Sequence, residues 1–373
     1  MMNTSNTNVK YFGGSLISMW YLGGDVYRCD PHDLRTLGKL STDPRMAGVP
    51  ISARSRVDER TGELIFFAFG STPPYMRYGA LDRHGKLKSF IPVPLPGPRL
   101  PHDMCDHAAL QRVARSAAVS ARRCAGRRPP QAQVPCRHAD MPARFGVVSR
   151  HGSTEQIRWF EADPTYLYHV SNAWEEADGR GGTEIVMTGT PFRIPRDARG
   201  HLDADVVPRL TAQLVHQFTF HERRFKLRTG HTRERVLDDI VNSEFPVINS
   251  WLQGHKTRYS WHALMGPAQR PEEPHFCGIV RHDLLRGNCT NYHEGPNRWW
   301  SEAPFAPRDG SQAEDDGYLV GFVWDGDAQK SKVVVMDAAD IAASPLCRIT
   351  LPQRVPYGFH ATWVSAERLR RGY

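Results

Sequence analysis

The sequence predicts an all-β fold. Three observations carry this: short apolar runs rich in β-formers, polar turns that punctuate them, and helical periodicity confined to short pieces. The first run, Ile65-Phe66-Phe67-Ala68-Phe69, follows the turn-like stretch Arg60-Thr61-Gly62-Glu63-Leu64. Tyr78 to Leu81 and Phe90 to Val93 read as strands on either side of the polar turn Asp82 to Leu87. Further strands are expected at Ile185 to Met187, Leu214 to Phe218, Tyr318 to Trp324 and Lys332 to Met336. A short helical piece is expected at Asp337 to Ala343. Many short strands with Gly/Pro turns fit a sandwich, a barrel or a propeller, and no fixed-period repeat separates the three.

At 373 residues the chain can form one large domain or two ordinary ones, and 40% hydrophobic with 24% charged residues is the composition of a globular protein. No run of about eighteen apolar residues is present, which excludes a membrane-spanning helix and leaves peripheral membrane contact open. Met1 to Lys10 is polar and unlike a signal peptide. Seven cysteines at irregular spacing, with no Cys-x-x-Cys pair, read as free thiols in a reducing compartment, so a cytoplasmic location is expected. The net charge of +8 raises the question of a nucleic-acid partner. Between Cys105 and His138, however, seven arginines face one acid, Asp106, so this stretch supplies +6 of the charge. The remainder is nearly balanced, and no nucleic-acid partner is expected.

That same stretch breaks the strand pattern. Residues 108–128 (AALQRVARSAAVSARRCAGRR) show neither alternation nor a clear turn before Gly126. Composition alone reads them as an exposed helix or a disordered insertion.

Three of the seventeen histidines stand in distinctive settings. They are His102 in Leu100-Pro101-His102-Asp103-Met104, His169 in Tyr168-His169-Val170-Ser171-Asn172-Ala173-Trp174, and His360 in Pro356-Tyr357-Gly358-Phe359-His360-Ala361-Thr362-Trp363. Around them, in order, lie Val57-Asp58 with Thr61-Gly62-Glu63-Leu64, Thr72 to Tyr78, Ala143 to Val147, Arg158-Trp159-Phe160, Ser243-Glu244-Phe245-Pro246 and Ala313 to Tyr318. In these motifs and their order the chain resembles the carotenoid cleavage oxygenases, in particular the bacterial branch that includes lignostilbene dioxygenases. The resemblance covers nearly the whole chain outside 105–138. It implies a seven-bladed β-propeller, one domain over residues 1–373, whose inner strands deliver histidines to one axial Fe(II). By motif, His102, His169 and His360 correspond to ligands. Glu244 and Glu302, the latter in Ser301-Glu302-Ala303-Pro304-Phe305, correspond to carboxylates that fix the histidine rings. No catalytic side chain beyond the metal centre is implied.

The sequence departs from the family pattern in several places. Ser52-Ala53-Arg54-Ser55-Arg56-Val57 puts Arg54 where the family's first ligand histidine stands, and a guanidinium has no lone pair and stays protonated. The glutamate paired with that histidine is replaced by Tyr21 or Leu22, a lysine that contacts stilbene phenols is missing, and Ala361 stands in a usual glycine's place. The match starts inside the first well-matched blade, implying a shortened N-terminus and an incomplete propeller, and an unclosed propeller would expose strand edges. Reading Cys105-Asp106-His107 as TGC GAT CAC and dropping one base gives Ala-Ile-Thr, a family-like strand. The same shift at 131–138 permits Lys-Leu-Lys-Phe-Arg-Ala-Asp-Met, so 105–138 is expected to be an aberrant segment translated out of frame.

Two functions therefore compete. One is an Fe(II)-dependent dioxygenase that cleaves a C=C bond of an apolar apocarotenoid or stilbene-type substrate with O₂, the missing lysine favouring apocarotenoids. The other is an inactive family member that at most binds an apolar ligand.

Overall fold

The computed structural model describes residues 5–21, 23–40, 43–99, 101–105, 110–115, 118–120, 135–137, 142–192, 217–266, 275–356 and 358–372. The first sheet is the meander β1 (Asn8–Phe12), β2 (Ser15–Met19), β3 (Tyr27–Cys29) and β4 (Thr36–Lys39). The second is β5 (Arg56–Val57), β6 (Leu64–Phe69), β7 (Met76–Leu81) and β8 (Leu87–Pro92). In the third, β9 (Met104–Cys105) and β10 (Leu110–Arg115) precede a separate pairing of β11 (Ala118–Ser120) with β12 (Pro135–Arg137). The sheet then resumes with β13 (Ala143–Ser149) and β14 (Arg158–Ala162). The fourth is β15 (Tyr166–Ala177), β16 (Thr183–Phe192), β17 (Phe220–Lys226) and β18 (Thr232–Asp238). The fifth is β19 (Ser243–Val247), β20 (Tyr259–Met265), β21 (Phe276–Asp283) and β22 (Asn288–His293). In the sixth, β23 (Arg298–Trp300) and β24 (Phe305–Pro307) both pair with β25 (Gly317–Asp325), followed by β26 (Lys330–Asp337) and β27 (Cys347–Thr350).

Every named pairing is antiparallel, and the entry strands of successive sheets touch, β9 against β15 and β15 against β19. Exposure grows outward: β16 is buried almost throughout, whereas β27 is exposed along its length. Radial repetition of antiparallel meanders around gathered inner strands is the architecture of a β-propeller.

The strand runs fold as their composition dictates. β6 (LIFFAF) is buried on both faces because it is covered by its neighbours on either side, which suits an unbroken apolar run. The turn before it closes at Gly62, whose φ of 74° favours glycine and whose N–H donates to the Asp58 carbonyl at 2.7 Å. The apolar clusters form between sheets. Phe12, Ile17 and Met19 pack on Leu64, Phe66 and Leu81, while Phe145 and Phe160 pack on Ile185, Met187 and Phe225. Trp261 and Ile279 pack on Phe305, Leu319 and Val334. Each such side chain stabilises by about 1.5–3 kcal/mol on burial, so adjacent sheets are held face to face.

Three sequence expectations are corrected or fall outside the description. Asp337 to Ala343 is not helical: Asp337 ends β26, and its carboxylate accepts from Ala339 N at 2.8 Å, turning the chain instead. Of Leu214 to Phe218, residues 214–216 lie outside the described residues, and the strand there begins only at Phe220. In the aberrant segment 105–138, residues 106–109, 116–117, 121–134 and 138 lie outside the described residues. Leu110–Arg115, which composition reads as helix or insertion, runs as a strand between Met104-Cys105 and Ala143–Ser149, because backbone ladder bonds do not depend on side-chain identity.

The chain's C-terminal part seats against the first sheet. A short helix, Ala366–Arg371, starts at Ser365, whose Oγ accepts from Arg368 N at 3.2 Å. Arg368 donates to Glu59 at 2.7 Å and to the Tyr11 carbonyl at 3.2 Å, with its guanidinium 5.3 Å from the Tyr11 ring centre. Arg368→Ala strands the mostly buried Glu59 carboxylate and is expected to lower unfolding stability by about 1–3 kcal/mol. Urea titration checks this as a lower midpoint at unchanged slope; a change within the noise of a surface substitution would show the tie to be idle.

Candidate metal centre

The second to sixth sheets send polar side chains to the axis. Arg54 precedes β5, His102 and Asp103 precede β9, His169 lies within β15, and Glu244 is the second residue of β19. Glu302 lies in the break between β23 and β24, and His360 follows β27. The three expected histidines are brought together: the rings of His102 and His169 are 4.9 Å apart, and those of His169 and His360 are 5.0 Å apart. The expected glutamates are there too, each on a different ring.

Every ring has its Nδ1 engaged. His102 Nδ1 donates to the Tyr168 carbonyl at 2.7 Å, His169 Nδ1 to Glu244 Oε2, and His360 Nδ1 to Glu302 Oε1 at 3.2 Å. Donating at Nδ1 leaves the lone pair on Nε2. The carboxylates are held in turn: Thr190 Oγ1 donates to Glu244 Oε1 at 2.5 Å, Phe245 N donates to Oε2, and Ala361 N donates to Glu302 Oε2 at 2.7 Å. Burial pushes the Glu244 carboxyl up to about 7 and also raises Glu302. The rings are kept neutral. Burial, with His169 and Arg54 adding to it, pushes His102 down to about 3. Burial and then Arg54 hold His169 and His360 well below the ordinary range.

Local geometry explains two of these positions. β15 bulges between Leu167 and His169 and again between Val170 and Asn172, which re-aims His169 toward the axis. Gly189 on β16 permits this, since a Cβ there would lie 2.7 Å from the His169 carbonyl oxygen. Phe245 takes a left-handed φ of 52° beside a bulge in β19, and its ring lies 4.9 Å from His169 and 4.7 Å from His360.

Arg54 reaches into the same space. Its Nη1 donates to His360 Nε2 at 3.0 Å and its Nη2 to Asp103 Oδ2 at 2.7 Å. Asp103 Oδ2 also accepts from Arg56 Nη2 at 2.9 Å and Val170 N at 2.8 Å, while Oδ1 accepts from Met104 N at 2.8 Å. Burial alone would raise the Asp103 carboxyl, but Arg54 and Arg56 outweigh it and hold it well below the carboxylate range. The ring arrangement suits a divalent ion in part. His169 Nε2 is buried without a partner, an orphaned acceptor that a cation would satisfy. His360 Nε2 does not fit, because its lone pair already accepts from the guanidinium. A four-histidine iron centre is thus not accommodated with Arg54 in this position.

Tyr21, one of two residues standing in for the absent glutamate, sets its ring 4.6 Å from His102, and its hydroxyl donates to the Pro101 carbonyl at 3.3 Å. Leu22 lies outside the described residues. On one side of the histidines, Tyr168, Phe192 and Phe218 form an aromatic wall. On another, a cavity of about 110 Å³ is lined by Lys10, Arg54, Glu302, His360 and Arg368. Sequence reasoning missed Asp103, Thr190 and Lys10. Only Asp103 had a signal, its place beside His102 in a quoted motif.

The family described as Retinal pigment epithelial membrane protein (RPE65) matches residues 1–365. Among curated relatives, the carotenoid 9,10(9′,10′)-cleavage dioxygenase 1 of Arabidopsis thaliana is 30% identical over 98% of the chain and 68% of its own length. Matching relatives include chloroplastic proteins. Among solved structures, the Synechocystis apocarotenoid oxygenase, also solved in a cobalt-substituted form, superposes with a TM-score of 0.79 at 23% identity. That match covers 98% of this chain and 75% of the other. The Pseudomonas brassicacearum lignostilbene dioxygenase superposes with a TM-score of 0.78 at 23% identity, over 96% and 74% of the two chains. These likenesses establish the β-propeller fold.

Asp103→Asn removes the charge shared by the buried Arg54 and the half-buried Arg56, and is expected to destabilise the protein by about 3–5 kcal/mol. Chemical denaturation measures it, and a loss under about 1 kcal/mol would show that the pairing carries no weight.

Proposed function

The chain belongs to the RPE65/carotenoid oxygenase family, and on that premise we propose that its architecture is that of an Fe(II)-dependent dioxygenase cleaving a C=C bond of an apocarotenoid or stilbene-type substrate. His102, His169 and His360 would hold the ion through Nε2, with Glu244 and Glu302 fixing two of the rings through Nδ1. Bound there, Fe(II) would supply O₂ activation for conversion of the alkene to two carbonyl products. The aromatic wall of Tyr168, Phe192 and Phe218 would receive the apolar substrate and exclude water from the axis. The same reading makes residues 1–373 one seven-bladed domain with 105–138 aberrant. It also keeps the cytoplasmic expectation, supported by five free cysteines among the described residues. No helix among the described residues is long and apolar enough to cross a membrane.

One observation favours a narrower reading for the chain as it stands. Arg54 Nη1 occupies the lone pair of His360 Nε2 at 3.0 Å, and Asp103 anchors the same guanidinium at 2.7 Å. A permanent cation therefore stands among the neutral imidazoles and repels a second one. The geometry best supports a family member that keeps the ligand-binding architecture but has lost tight iron binding and turnover.

Metal analysis together with an aldehyde assay on an apocarotenal and a stilbene separates the two readings. The unaltered chain is expected to hold far less than one equivalent of iron and to release no aldehyde. Arg54→His is expected to raise iron affinity at least about tenfold, and adding Glu302→Gln to reduce that gain by about 10–100-fold. Stoichiometric iron with turnover in the unaltered chain would restore the dioxygenase reading in full.

A further inference from the structure

Away from the axis, His282 on β21 lies in a cluster with a carboxylate and a thiol. The residue is 3% exposed. Its Nε2 is buried without a partner, and its Nδ1 lies 3.7 Å from Asp238 Oδ2, too far for a hydrogen bond. Nδ1 is thus the ring nitrogen turned toward other ligand-type atoms.

Cys289 on β22 stands directly opposite His282 in the antiparallel register, so both side chains project from the same face. Asp238 comes from the adjacent sheet, at the end of β18. Its Oδ1 is committed to Ile240 N and Val241 N at 2.9 and 3.0 Å, which leaves Oδ2 for the cluster. The three candidate ligand atoms all lie within 4.8 Å of one another. Two ligands of one tetrahedral zinc, each at about 2.0–2.2 Å, sit roughly 3.4 Å apart, close to the Asp238–His282 spacing. Burial pushes the His282 imidazole down to about 4, so its lone pair is free at neutral pH. His262, whose ring is 4.5 Å away, is committed elsewhere: its nitrogens face Ser243 Oγ at 3.1 Å and Ser260 Oγ at 2.9 Å.

We propose that Asp238, His282 and Cys289 form a second cation site, separate from the axial histidines, that takes Zn(II) through Oδ2, Nδ1 and Sγ with water in the fourth position. A thiolate, an imidazole and a carboxylate are the donor set of a borderline-soft divalent ion, not of Mg(II) or Ca(II). Binding forms the Zn–S bond and releases the thiol proton, now shared with Asp238, to solvent. The ion would cross-tie β18 to β21 and β22, joining two neighbouring sheets.

Chelator-stripped full-length protein titrated with Co(II) tests this, because thiolate-to-cobalt charge-transfer absorption reports sulfur ligation and is blind to the axial histidines. The expected result is a band that saturates at one equivalent, disappears on adding Zn(II), and is lost in Cys289→Ser. Asp238→Asn is expected to weaken Co(II) binding at least about tenfold, and Arg54→His to leave the band unchanged. Circular dichroism melts of stripped protein, matched between the unaltered chain and Cys289→Ser, establish that the variant is folded. A titration with no thiolate band would overturn the proposal, as would a band that survives Cys289→Ser or one lost instead in Cys277→Ser.

Discussion

The buried carboxylate of Asp103 gathers donors from three sheets onto two oxygens. Arg54 and Arg56 come from the entry to the second sheet, Met104 from the third and Val170 from the fourth. Two guanidiniums against one carboxylate is a costly arrangement in a low-dielectric interior unless every remaining donor finds an acceptor. Arg56 meets that condition through the carbonyls of Val170 and Met104, at 2.7 and 3.2 Å. Arg54 meets it only in part: its Nη1 turns onto His360, while its Nε stays buried without a partner. The position of the arginine at the axis follows from this accounting of hydrogen bonds.

The histidines are arranged by a separate set of constraints. Each Nδ1 is anchored by an oxygen, which sets ring orientation and tautomer before anything occupies the axis. This preparation serves a metal ion or a guanidinium alike, since both accept electron density from Nε2 by charge. The difference lies in valence: an ion can draw on several lone pairs, whereas Arg54 donates to one ring and leaves His169 Nε2 orphaned. The anchored rings therefore keep their orientation with Arg54 engaging only one of them.

Much of this was legible in the sequence. Runs such as Ile65 to Phe69 and Tyr318 to Trp324 became strands because short apolar runs of aromatic and β-branched residues favour extended backbone locally. Asp337 to Ala343 misled because its alanines favour a helix, while one aspartate side chain captured the backbone in a turn. The histidines and glutamates of the centre were found through motifs. Asp103, Thr190 and Lys10 were not, because their roles depend on which strands lie beside them. His282 and Cys289 sit seven residues apart across a hairpin and Asp238 far upstream, a spacing that announces no site.

By itself the sequence determined an all-β chain, a membership, three histidines in ligand settings and an arginine in place of a fourth. Those properties are carried by residue type and order. Only the tertiary structure decided where the arginine's charge goes and which nitrogen it engages. That choice depends on Asp103, Val170 and His360 converging from different sheets within hydrogen-bond reach, a distance relation that no order of residues along one strand contains.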